Sequence, residues 1–161
     1  MKYRRLTIEE LKELELEFVR FLAANTVTSE DWLSIKTTKP ERADQLIDVF
    51  SDIVFEKIIS KITHLEHRSA QDLKIFECSE DKIKLIGVKV VGVEAVDFTK
   101  QQTGAEMLQT FKNIPQGSIK MYSAEKAYKD NDRSKELFDM MQNGCLISKG
   151  ELYETITEMV K

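Results

Sequence analysis

The stretch Leu73-Lys-Ile-Phe-Glu-Cys-Ser-Glu-Asp-Lys-Ile-Lys-Leu-Ile-Gly-Val-Lys-Val-Val91 decides the fold class. Its apolar residues recur with a period near two, and the polar run Ser79-Glu-Asp-Lys82 interrupts them. That pattern predicts a β-hairpin with arms 73–78 and 82–91, the second arm rich in Ile and Val and broken by Gly87. Outward from the hairpin, residues 63–68 read as a short polar strand, 93–98 as an extension of the sheet, and 118–124 as a further strand.

Helices flank these strands, and their starts are sharply marked. Thr7-Ile-Glu-Glu10 has the form of a capping box, in which the Thr7 hydroxyl and the Glu10 carboxylate each accept from the other's backbone N–H. Thr28-Ser-Glu-Asp31, Thr103-Gly-Ala-Glu106 and Ser148-Lys-Gly-Glu151 repeat the spacing. Apolar residues at helical period predict helices from Thr7 to about Asn25, from Thr28 to about Ile35, and from Pro40 to about Ile62. Leu46, Ile47, Phe50, Ile53, Val54, Ile58 and Ile62 make a wide stripe on the last, with Phe55 and Ile59 beside it. Further helices are expected over 103–113, 132–143 and 148–160. Gly144 is the left-handed residue closing the penultimate one, and a short link makes an αα-hairpin of the last two.

The order ααα-βββ-α-β-αα gives an α+β fold, with helices at both ends of the chain packed on a small, largely antiparallel sheet. One domain of 161 residues is expected, in three stretches: a helical part (1–62), a sheet with one helix (63–126), and a C-terminal helical hairpin (132–160).

Composition narrows the function classes. Hydrophobic residues make up 42% and charged residues 32%, enough for a core and a solvated surface. The net charge of −4 is shared evenly. Residues 1–62 carry 10 basic and 12 acidic side chains and the remainder 14 and 16, so neither half is a nucleic-acid-binding arm. Cys78 and Cys145 lie far apart without a Cys-x-x-Cys motif and read as reduced thiols of a cytoplasmic protein. No apolar run is long enough to span a membrane.

The candidate sites are few. His64, Glu66 and Cys78 would make three metal ligands if the neighbouring strand carries Cys78 alongside; a solvated polar strand is the plainer reading. Cys145 is a candidate nucleophile, with His64 or His67 as base, against the alternative of a small side chain tucked into a helical corner. Asp72-Leu-Lys74 and Glu80-Asp-Lys82 match a nuclease-like acid-x-Lys triplet, but about three such triplets follow from composition alone. Ser148-Lys149-Gly150 opens a helix that has N–H groups for an anion, and Glu151 competes for them. Lys2, Arg4 and Arg5 around Tyr3, with Lys126, Tyr128 and Lys129, form a possible contact surface. No nucleotide-binding glycine motif is present, and no cofactor is expected.

The segments Met1-Lys-Tyr-Arg-Arg-Leu-Thr7, Phe50-Ser-Asp-Ile-Val-Phe-Glu-Lys57 and Leu146-Ile-Ser-Lys-Gly-Glu-Leu-Tyr153 resemble a bacterial domain-of-unknown-function family of short proteins. The resemblance covers nearly the whole chain. It implies one stand-alone cytosolic domain and carries no activity, ligand or catalytic residue with it. The expectation is a non-catalytic binding or regulatory protein acting through protein contacts, with an unidentified partner or a second copy. The surplus apolar surface at Phe55, Ile58 and Ile59 motivates the second copy. A metal- or thiol-dependent enzyme and a nucleic-acid-associated protein are the alternatives.

Overall fold

Alternation and capping translate directly into the observed elements. The structure, a computed structural model, describes residues 1–100 and 102–160. Among them are seven α-helices and one five-stranded antiparallel sheet, an α+β fold. The chain divides into two compact units, Met1–Ser60 and Lys61–Lys161.

The first unit is helical: α1 (Ile8–Glu13), α2 (Glu15–Ala24), α3 (Ser29–Thr38) and α4 (Pro40–Ser60). The capping boxes at Thr7 and Thr28 are both formed. The single first helix expected from Thr7 is instead two, because Leu14 leaves helical geometry at φ −103°, ψ 23°. Phe18, Phe21, Trp32 and Phe50 build an aromatic cluster, with Phe18 edge-on to Trp32 at 5.1 Å. On α4 the buried residues are Ala43, Phe50, Ser51, Phe55 and Ile59, whereas Ile53 and Ile58 are exposed. Most of the apolar surplus expected to face a second copy is therefore inside.

The N-terminal arm lies along α4, whose Asp44, Asp48, Asp52 and Glu56 recur every four residues and so share one side. Asp52 accepts the backbone N–H groups of Lys2 (2.8 Å) and Tyr3 (3.0 Å). Arg5 donates to both oxygens of Asp48 (2.6 and 3.1 Å), and the Lys2 ammonium meets Glu56 at 3.2 Å. Leu6 N–H reaches the buried Ser51 hydroxyl at 3.0 Å. Arg4 forks onto Glu10 with two 2.9 Å bonds.

That fork and the Thr7 backbone hold the Glu10 carboxyl at about 2, below its ordinary 4.5. A carboxylate with a depressed folded-state pKa stabilises the fold above its unfolded value, and the contribution disappears as the pH falls through the folded one. The thermal midpoint of the wild type is accordingly expected to fall between about pH 5 and pH 2 more steeply than that of Glu10→Gln, and less so in high salt. Parallel curves for the two proteins would refute the assignment.

The second unit is built on the sheet, ordered β4-β3-β2-β1-β5. Its strands are β1 (His64–Arg68), β2 (Asp72–Cys78), β3 (Lys82–Val90), β4 (Ile119–Ala127) and β5 (Leu146–Ser148); its helices are α5 (Gly104–Lys112), α6 (Arg133–Gln142) and α7 (Glu151–Val160). The expected hairpin is β2–β3, paired from Asp72↔Lys89 to Cys78↔Ile83. Alternation puts Leu73, Ile75, Val88 and Val90 on one face, where they form a buried cluster with Met107 and Phe111 of α5 and Leu152 and Ile156 of α7.

Two expectations are corrected here. Residues 93–98 add no strand. Val96 and Phe98 alternate because both side chains plug the same cluster, while Phe98 N–H ties its loop to the Ala70 carbonyl at 2.8 Å. The helical hairpin 132–160 is interrupted by β5, which pairs with β1 through Leu65↔Ile147. Ser148 therefore belongs to a strand and caps no helix. The start of α7 lies at Glu151, after Gly150 at φ +90°, where an added Cβ would come within 2.9 Å of His64. Gly144, at φ +103°, closes α6 as expected: its N–H reaches Met141 O and that of Cys145 reaches Met140 O. The box at Thr103 opens α5.

Candidate functional site

The sheet register separates the proposed metal ligands. His64 and Glu66 lie opposite Glu77 and Ile75, on the face that carries the buried cluster. Cys78 follows Glu77 and so points to the other face. His64 packs on Tyr153 (5.3 Å between rings), and Glu66 is engaged by Arg68 at 3.0 Å. Among the described residues no three His, Cys, Asp or Glu side chains are grouped to hold a metal. The metal set His64, Glu66 and Cys78 is thus not brought together.

The thiols are equally committed. Both cysteines are buried and unlinked. Burial pushes the Cys78 thiol up to about 12 and raises Cys145 too, away from the thiolate a nucleophile requires. Asp72 of the first acid-x-Lys triplet pairs with Lys74 at 3.2 Å and accepts the Tyr122 hydroxyl at 2.5 Å. The second triplet lies at the hairpin turn, closed by Ser79 N–H on Lys82 O. With Ser148 in a strand, the expected helix opening at 148–150 loses its cap.

The expected contact surface is also occupied. Lys2, Arg4 and Arg5 are held by Glu56, Glu10 and Asp48. Tyr128 is a core residue, 4% exposed, whose hydroxyl donates to Ser79 O at 2.6 Å. Lys126 pairs with Glu136, which also accepts the Lys129 backbone N–H.

Two other places offer shape. Glu66 and Arg68, with Thr99, Gln102, Thr103 and Glu106, frame a cavity of about 560 Å³. Its charges are largely matched internally, since the Arg68 guanidinium spans Glu66 and the carbonyls of Phe98 and Lys100.

The second place is the free side of β4. After β3 the chain includes α5, packed on the cluster face, turns at Pro115-Gln-Gly117, and returns antiparallel beside β3 for nine residues. β4 is an edge strand because the last strand, β5, joins β1 at the far side of the sheet. Tyr122 sets its register: the ring lies over Gly87, where an added Cβ would come within 2.0 Å of it, and its hydroxyl reaches across β3 to Asp72 on β2. Opposite β3, β4 pairs with no strand among the described residues. Ser123 to Ala127 are exposed.

Beside this edge, on the cluster face, lies an open groove of about 650 Å³. Leu108, Phe111, Ile114, Ile119, Met121 and Met159 line it, with Lys112 at its side. A row of unpaired backbone donors and acceptors next to an apolar trough is the geometry that accepts an added strand. The sequence predicted strand 118–124 but held no sign that it would lie at the edge, because strand order depends on which strands β5 and β4 pair with, a tertiary outcome.

All 161 residues match the model of a family of unknown function, DUF6495. The chain belongs to that family. No curated protein and no solved structure matches the chain. Membership brings no activity to this site, so its chemistry rests on the geometry of β4 and the groove. Among the described residues no helix is long and apolar enough to cross a membrane.

Proposed function

We propose that the protein is a non-catalytic binding protein that takes an extended segment of a partner protein as an additional strand on β4. The observation that carries this reading is the coincidence of the nine-residue unpaired edge with the apolar groove beside it. The edge supplies main-chain hydrogen bonds, and the groove takes every second side chain of the incoming strand. The protonated thiols and the divided metal set favour binding over catalysis. Two buried, unlinked cysteines fit a reducing compartment such as the cytosol.

Leu108, 37% exposed on α5, lines the groove without belonging to the buried cluster. Leu108→Glu is expected to leave the thermal midpoint nearly unchanged and to remove the proteins that the wild-type chain captures from native cell extract. Leu146→Glu, at the opposite edge of the sheet, serves as the control and retains them. Capture indifferent to Leu108→Glu would exclude the groove as the binding site.

A further inference from the structure

Resting on this reading, we infer that the strand β4 accepts belongs to a different protein and alternates apolar with acidic residues. The charges along the edge carry the inference. On β4, Lys120, Tyr122, Ala124 and Lys126 face away from the groove, while Ile119 and Met121 face it. Lys120 lies directly opposite Lys89 of β3, and both side chains are exposed; Asp72, opposite Lys89 on its other side, is engaged by Lys74 and the Tyr122 hydroxyl. Two like charges in register repel. A carboxylate on an incoming strand beside Lys120 would offset that repulsion, and the adjacent residues of the same strand would enter the groove. The required pattern is therefore apolar toward Ile119 and Met121 and acidic toward Lys120.

The same charges oppose a second copy. Two-fold antiparallel pairing of β4 with itself over its full length centres on Ser123, which sets Lys120 against the copy's Lys126 twice and Met121 against its Glu125. Basic residues on an edge strand are a known means of blocking self-pairing.

The test uses the full chain and two end-blocked seven-residue peptides, one alternating Val and Glu, the other alternating Val and Lys, titrated by calorimetry. The Val/Glu peptide is expected to bind roughly tenfold or more tightly than the Val/Lys peptide, and Lys120→Glu to reverse the preference. Equal binding of both peptides would overturn the inference while leaving strand addition standing. If neither binds at millimolar concentration, both fail. Sedimentation as a dimer that Leu108→Glu dissociates and Lys126→Glu tightens would also overturn the inference, by assigning the edge to a second copy.

Discussion

Phe98→Ala is expected to destabilise the sheet-bearing unit by about 3–5 kcal/mol, the largest effect of any single substitution considered. Phe98 is 1% exposed and lies in a loop, yet it is a full member of the buried cluster, with its ring 6.0 Å from that of Phe111. Truncation removes a large apolar side chain and opens a cavity between the sheet and α5, which the surrounding strands are too constrained to fill. In a chain of this size the loss corresponds to a drop of roughly 10 °C in thermal midpoint. Thermal unfolding followed by circular dichroism measures it. A drop of only a degree or two would mean that the loop segment carrying Phe98 merely lies over the core.

Arg133→Leu is expected to cost about 3 kcal/mol, through charge-assisted hydrogen bonds lost to backbone carbonyls rather than lost volume. The guanidinium donates to Ser79 O (3.1 Å), Ile62 O (2.6 Å) and Cys78 O (3.3 Å), tying the first turn of α6 to the end of β2 and to the segment entering β1. Leucine keeps most of the aliphatic bulk but leaves these acceptors without a charged donor. Arg133→Lys restores one point charge without the fork and should recover only part of the loss. Urea unfolding of the three proteins tests the ranking; equal midpoints for leucine and lysine would show that geometry, not charge, holds the contact.

Much of the frame was legible from local rules. The boxes at Thr7, Thr28 and Thr103 and the left-handed Gly144 depend on three or four neighbouring residues, and all four are formed. Ser148 carried the same local signal and lost to a tertiary one, because residues 146–148 gain more from pairing with β1 than from capping α7. Val96 and Phe98 misled in a related way, since alternation reports burial on one side whether or not a ladder exists. The candidate sites fared worst, for a physical reason. Parity along β1 and β2 separates Cys78 from His64 and Glu66, and parity between strands needs the register, which the hairpin turn alone leaves open. Lys2 and Arg5 looked free because their acidic partners Glu56 and Asp48 lie 54 and 43 residues on, along α4, whereas Arg4 is paired locally with Glu10. The free edge at β4 was written only in the strand order.

Hydrogen exchange at the β4 amides tests the central claim most directly. With the Val/Glu peptide at saturation, the outward-pointing amides between Ile119 and Ala127 are expected to slow markedly, while those of β5 at the far edge exchange as before. Peptide binding that leaves β4 exchange unchanged, or that protects β5 instead, would contradict strand addition at this edge.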